Sequence, residues 1–265
     1  MKTLKNQGFL VHRKSKGFSS EREKERPILH LHNVWKSYHL DGVEVTALHG
    51  INLDIYKGDF VSIQGPSGSG KSTLMHLVGA LDIPTRGHIE LDGHNIEKMS
   101  ESDLATIRGK KIGFVFQAFN LIPTLNAIEN VTFPMIFQNK NSVNRIERAN
   151  KLLEEVGMGH RKKHLPTQIS GGETQRIAIA RALANNPDII LADEPTGNLD
   201  SKTGHKIMQM FVELHQKFGK TIIIVTHDPY IANYAHKKIN IIDGEIAHDH
   251  QASKRFLWSG HNIKK

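Results

Sequence analysis

The sequence predicts an α/β fold: a mostly parallel sheet flanked by helices, with an N-terminal antiparallel β subdomain and an inserted helical subdomain. Three observations predict it. From Phe60 to Ile242, strand-sized apolar runs alternate with segments of helical period. Before Phe60 there are only short β-type runs separated by turn dipeptides. Between residues 126 and 157 the pattern changes to two stretches of helical spacing.

Residues 1–26 mix charges with Ser and Gly and predict a disordered extension. Ile28 to Val34, Val43 to Leu48 and Ile51 to Ile55 predict short antiparallel strands, broken at Asp41-Gly42 and His49-Gly50. Phe60 to Gln64 is a buried-type strand that runs into a Gly-rich loop and a helix, Lys71 to Leu81. His88 to Leu91 and Ile112 to Phe116 are further strands. Asn126 to Phe137 and Val143 to Val156 are helical, the second with Leu152, Leu153 and Val156 on one face. They form the core of an insertion spanning about 118–169. A helix from about Gly172 to Ala184, a strand Ile189 to Ala192 and a helix Lys202 to Phe218 follow. A strand Thr221 to Thr226, a short helix and a strand Ile239 to Ile242, closed by Asp243-Gly244, complete a body of 27–247. A basic tail, 248–265, ends the chain.

Composition narrows the function. The 265 residues are 38% hydrophobic and 23% charged, which excludes collagen-like, disordered and disulfide-stapled classes. There is no Cys, so no thiol nucleophile and no Cys-based zinc site. No apolar run reaches the length needed to span a bilayer, and the N-terminal segment has no secretory core, so a cytoplasmic protein is expected. The net charge of +8 lies in the tails: residues 1–26 contribute +5 and 248–265 contribute +3, leaving 27–247 with 23 charges of each sign. The body therefore has no electrostatic footprint for nucleic acid.

Gly65-Pro66-Ser67-Gly68-Ser69-Gly70-Lys71-Ser72 fits G-x-x-x-x-G-K-[ST], between a strand and a helix, with Thr73 in the first helical turn. Its glycines let backbone N–H groups wrap phosphate oxygens, and the helix N-terminus adds positive potential. Lys71 supplies a charge for the outer phosphates, and the Ser72 hydroxyl is a candidate Mg²⁺ ligand. The core is thus of the phosphate-loop NTPase kind.

Ligands in open α/β sheets sit at the carboxyl ends of strands. Here those ends carry the phosphate loop, Gln117, Asp193-Glu194 and His227. Asp193 follows four apolar residues, as a Mg²⁺-supporting carboxylate does. Glu194 beside it can orient and deprotonate an attacking water. The Gln117 carbonyl oxygen can reach the metal or the water, and His227 can reach a γ-phosphate. This inventory fits metal-assisted phosphoryl transfer to water.

Ile169-Ser170-Gly171-Gly172-Glu173-Thr174-Gln175-Arg176 opens a second helix with the S-x-x-E capping pattern. It resembles the LSGGQ-type signature of ATP-binding cassette (ABC) proteins, with Ile169 for the usual Leu and Thr174 for a common Gln. Other family motifs follow in order. Gln117 resembles the Q-loop, Ile190-Leu191-Ala192-Asp193-Glu194-Pro195 the Walker B strand, Asn198-Leu199-Asp200 the D-loop and His227 the H-loop. Tyr38 stands where the family's adenine-stacking aromatic is found, with Trp35 as its rival. The segments Phe114 to Val131 and Ala192 to Asp200 resemble the lipoprotein-release, macrolide-export and antimicrobial-peptide-export branch. The resemblance implies a Mg²⁺-dependent ATPase that works with a separate integral-membrane permease at the inner face of the membrane. It also implies a homodimer in which Ser170, Gly171, Gly172 and Glu173 of one copy face the nucleotide of the other. Two alternative functions are mechanical signalling across the membrane and DNA maintenance. Gln117 and Ser170 stand only 53 positions apart, which leaves no room for the long coiled-coil arm of chromosome-maintenance ATPases.

Overall fold

The computed structural model describes residues 26–40, 42–138 and 141–251. The expected extension, 1–26, lies outside the described residues except for Arg26, whose guanidinium donates to Glu90 at 2.8 Å. The turn residue Asp41 and the tail from 252 onward also lie outside them.

In chain order the elements are β1 (Leu29–Leu40), β2 (Val43–Ile55), β3 (Phe60–Gln64), α1 (Lys71–Val78), β4 (Arg86–Leu91), β5 (His94–Asn95), α2 (Glu101–Lys111) and β6 (Ile112–Val115). The insertion holds α3 (Ala127–Ile136) and α4 (Ser142–Glu155). Then come α5 (Gly171–Ala182), β7 (Ile189–Asp193), α6 (Ser201–Phe218), β8 (Thr221–Val225), α7 (Pro229–Ala232), β9 (Lys237–Ile242) and β10 (Glu245–Gln251).

One antiparallel sheet has the order β2-β1-β4-β5, and the larger sheet the order β10-β9-β3-β8-β7-β6. In the larger sheet every pairing but that of β10 with β9 is parallel. Its strands alternate between two cores, as a sheet covered on both faces must. Val61, Ile63, Leu191, Ile223 and Val225 join the core shared with the antiparallel sheet, α1 and α2. Phe60, Ile190, Ala192, Ile222 and Ile224 join the core built with α3, α4, α5 and α6. The carboxyl ends of β3, β8, β7 and β6 therefore open on one edge between the two cores.

Two expectations need correction. The runs expected as separate strands at 43–48 and 51–55 are one strand, β2, with a bulge. Val34 pairs with Ile51 and Lys36 with Leu48, so β2 carries the extra residue. Gly50 absorbs it at φ +64°. The body does not end at 247, because β10 continues along β9 to Gln251. Helix α2, not among the expected elements, carries only two buried side chains, Leu104 and Ile107, so its helical period is faint in the sequence. Its start is set by Ser100, which caps the Asp103 N–H.

The insertion is fastened where it begins. Asn126 and Glu129 form a reciprocal capping box at the start of α3. The Asn130 amide, fully buried, donates to the carbonyls of Ile122, Leu125 and Asn126 and accepts from the Ile122 N–H at 2.8 Å.

Candidate functional site

The phosphate loop is shaped by what packs behind it. A Cβ at Gly65 would lie 2.1 Å from the Ile241 carbonyl oxygen, and one at Gly70 would lie 2.7 Å from that of Ala47. Gly68 and Gly70 adopt φ +78° and +100°, which only glycine adopts without strain. The loop is thus held between β9 and β2. The first turn of α1 has no side-chain cap and no acidic residue, so its N–H groups stay available to an anion. Lys71 Nζ donates to the Pro66 carbonyl at 2.6 Å, inside the loop it would serve. Ser69 Oγ is buried with no hydrogen-bond partner. Lys71 thus lies within reach of any phosphate the loop would hold, while the Ser69 hydroxyl is turned toward the β9 side of the loop.

An open cleft of about 740 Å³ lies over this loop. Of the residues expected from the sequence it brings together Gly65, Pro66, Ser67, Lys71, Gln117, Glu194 and His227, and it adds Gln64 and Asn240. Ser72 and Thr73 sit on the first turn of α1.

Glu194 is the best-fixed group in the cleft. It leaves β7 at φ +41°, a left-handed conformation that a non-glycine residue adopts only where its surroundings enforce it. Its N–H donates to the Val225 carbonyl at 2.9 Å, and its own carbonyl accepts from Gly197 at 3.0 Å. The carboxylate accepts from Thr226 Oγ1 at 2.9 Å and from the His227 N–H at 2.8 Å, and His227 Nδ1 lies 2.5 Å away. The Glu194 side chain is only 16% exposed, whereas that of His227 is 74% exposed and free to reach a ligand. Sequence reasoning missed Thr226. It is buried, and its hydroxyl also accepts from the Asp228 N–H at 3.1 Å. Its one signal was a hydroxyl residue directly before His227 at a strand end.

Asp193, next to Glu194 at the end of β7, is half-buried. Burial raises its carboxyl above the ordinary value, and the neighbouring Glu194 raises it further, while His76 and Lys71 pull the other way. A divalent cation would relieve both penalties. The oxygen donors of Asp193, Ser72 and Gln117 are of the hard type that Mg²⁺ takes. Among the described residues no group of three His, Asp or Glu could hold a metal by itself.

Gln117 follows β6 and is tied to the turn after Glu194. Asn198 Nδ2 donates to the Gln117 carbonyl at 2.9 Å, and Gln117 Nε2 lies 3.4 Å from Asn198 Oδ1. Gly197 makes room for this, since a Cβ there would lie 2.8 Å from Gln117 Nε2.

The signature and Asp200 do not line the cleft of their own chain. Ser170 caps α5: its Oγ accepts from the Glu173 N–H, and Glu173 returns a bond to the Ser170 N–H at 2.9 Å. That backbone bond is the main reason the Glu173 carboxyl is held below its ordinary value, with Arg161 adding to it at 3.2 Å. Gly172 lets the start of α5 approach the start of α6, because a Cβ there would lie 2.5 Å from the Thr203 methyl. Asp200 caps α6 by accepting from the Thr203 N–H at 3.0 Å. Thr174, which departs from the common signature, bonds the Ser170 carbonyl at 2.9 Å within the helix.

Tyr38 pairs with Val45 on β2, two residues before Ala47 at the back of the phosphate loop. Its hydroxyl donates to Asp82 at 3.3 Å, and Lys36 Nζ lies 5.1 Å from the ring centroid. Trp35 is engaged elsewhere: its Nε1 donates to Asn33 at 3.0 Å, and its rings pack edge-on against His49 at 5.5 Å.

Residues 48–197 match the family model described as ABC transporter. A Thermotoga maritima protein described as an uncharacterized ABC transporter ATP-binding protein is 49% identical over 221 residues, 83% of this chain and 94% of that one. A macrolide export ATP-binding/permease protein of Wolinella succinogenes is 46% identical over 224 residues, which is 84% of this chain but 35% of that protein. An ATP-binding cassette of Methanocaldococcus jannaschii, solved as a dimer in a post-hydrolysis state bound to ADP and Pi, superposes with a TM-score of 0.79 at 46% identity. That match covers 86% of this chain and all of the other. With its phosphate loop, Walker B carboxylates and capped signature helix in one framework, the chain belongs to the ABC transporter family as an ATP-binding cassette.

Proposed function

We propose that this chain is the Mg²⁺-dependent ATPase subunit of an exporter, working through a separate integral-membrane permease. It moves or releases a lipid-linked, peptide or drug-like substrate. One observation carries the hydrolytic reading: Glu194 is held by Thr226 and His227 at the ends of two adjacent strands, facing the cleft over the phosphate loop. The phosphate loop binds and orients the nucleotide. Ser72, Asp193 and Gln117 would hold Mg²⁺, which would neutralise phosphate charge. Glu194 holds a water and takes its proton, while His227, whose ring already touches Glu194, reaches toward the outer phosphate. Tyr38 stacks on the base.

The working unit is a head-to-tail pair, in which Ser170 to Glu173 of one copy close the cleft of the other and Asp200 lies at the joint. Exclusion of water there strengthens each polar contact with the phosphates. The export reading is supported by the likeness to macrolide exporters, of whose length this chain matches about a third. Among the described residues no helix is long and apolar enough to cross a membrane. We place the subunit at the inner face of the membrane, on the permease.

The test is phosphate release from ATP with Mg²⁺ and with EDTA, together with co-purification of a tagged chain from membranes. Hydrolysis that needs Mg²⁺, and a permease that copurifies, are the expected results. Absence of Mg²⁺-dependent hydrolysis, alone and with the permease, refutes the reading.

A further inference from the structure

Between β6 and the insertion the backbone takes an uncommon path. Phe119 and Asn120 both adopt left-handed conformations, φ +59° and +49°. L residues adopt that region rarely, and a bulky aromatic least readily. The turn has its own short-range bonds, Phe119 N–H to Phe116 O at 3.1 Å and Asn120 N–H to Ala118 O at 2.6 Å. These leave the carbonyls of Phe119 and Asn120 to find other donors. Both are taken by one side chain. Arg181 Nη2 donates to the Phe119 carbonyl at 2.8 Å, and Nη1 donates to that of Asn120.

Arg181 lies in the last turn of α5, the helix that Ser170 opens. Its pairing is with these two backbone oxygens and with no carboxylate among the described residues. A planar guanidinium can span two successive carbonyls with a fixed fork, which an ammonium cannot. On the other side of the same loop, Asn198 grips the carbonyl of Gln117 at 2.9 Å. Gln117 is therefore held at its own peptide by the turn after Glu194, and two and three residues later by the signature helix.

We propose that Arg181 is a positioning residue. It holds the Phe119–Asn120 turn in its left-handed form and so couples movement of the signature helix to the amide of Gln117 in the cleft. When α5 shifts, the turn shifts with it, and the reach of Gln117 into the cleft changes. This rests on reading the cleft as a site of ATP hydrolysis.

The test compares Arg181→Gln with Arg181→Gln/Phe119→Gly, since glycine takes the left-handed backbone without help. In Arg181→Gln, kcat should fall at least about tenfold, since two charge-assisted hydrogen bonds to the turn are lost. ATP affinity should stay within about twofold, because the phosphate loop is untouched. Amide hydrogen exchange should rise over residues 117–122 and stay unchanged in α1. The double variant should recover most of the lost kcat. Arg181→Lys, which keeps the charge but loses the fork, should give an intermediate exchange rate and serves if the glutamine variant folds poorly. Unchanged exchange at 117–122, or no recovery with glycine, overturns the proposal. If the unmodified chain hydrolyses no ATP, the functional reading fails, while the exchange experiment still decides whether Arg181 holds the turn.

Discussion

Glu194→Gln isolates the chemistry from the fold. The amide keeps the shape of the carboxylate and can still accept from the His227 N–H, which donates to Glu194 at 2.8 Å. Its NH₂ then faces Thr226 Oγ1, which must accept rather than donate. The hydroxyl can do so by rotating, because it already accepts from the Asp228 N–H and has a second lone pair. The contacts with Thr226 Oγ1, the His227 N–H and His227 Nδ1 all lose their charge assistance, at a cost of about 1–3 kcal/mol in total, and each kcal/mol lowers Tm by about 2–4 °C in a domain of this size. Basicity, by contrast, is lost entirely. General-base catalysis contributes about 10²–10⁴-fold, or about 2.7–5.4 kcal/mol of barrier. The assay is single-turnover phosphate release, with ATP binding and Tm measured on the same sample. ATP retained without hydrolysis should also trap the head-to-tail dimer in gel filtration. Adding Ser170→Arg should abolish that dimer while each monomer still binds ATP. Turnover within a few-fold of wild type would remove Glu194 as the base. A double variant that dimerised as well as the single one would refute closure across the signature.

Three further outcomes follow from the geometry. Tyr38→Ala should weaken nucleotide binding by about 1–3 kcal/mol, the worth of stacking on a base, and Trp35→Ala should leave it unchanged; titration with ATP decides, and the reverse result would assign the base to Trp35. Gly65→Ala should lower both nucleotide affinity and Tm, because its Cβ would fall 2.1 Å from a backbone oxygen that cannot move aside; unchanged affinity would mean that the loop relaxes. For Asp188, burial pushes the carboxyl up, but Lys57 and Lys111, each at 3.0 Å, outweigh it and hold the group below its ordinary value of 3.8. A lowered folded-state value means stability that is present above the unfolded value and lost as pH falls through the folded one. Asp188→Asn should therefore unfold more easily than wild type at pH 7 in urea, and the gap should narrow below about pH 4; a gap constant with pH would deny the ion-pair origin.

Much of the site was legible because its parts are local. The phosphate loop, the Asp193-Glu194 pair and the Ser170–Glu173 box each lie in one short run, and strand-end logic grouped Gln117 and His227 with them. What escaped detection depends on contacts distant in sequence. Thr226 matters through Glu194, 32 residues away. Arg181 matters through carbonyls 61 and 62 residues away. Neither residue type is unusual at its position. The break at His49-Gly50 looked like a turn because a β-bulge and a turn use the same glycine. The helix α2 was hidden because two apolar residues in eleven give almost no period.

The order of strands in the larger sheet also bears on how the protein is made. β8 lies between β3 and β7, yet it is synthesised after both. Until Thr221–Val225 leaves the ribosome, β3 and β7 each present an unpaired apolar edge, and non-local parallel pairing is slow to form. The same segment leads into Thr226 and His227, which fix Glu194. A nascent or truncated chain ending before residue 221 therefore lacks both β9, which backs the phosphate loop, and the residues that fix Glu194. Such a chain has neither half of the cleft in place, and the open edges of β3 and β7 are what a chaperone or a protease would meet first.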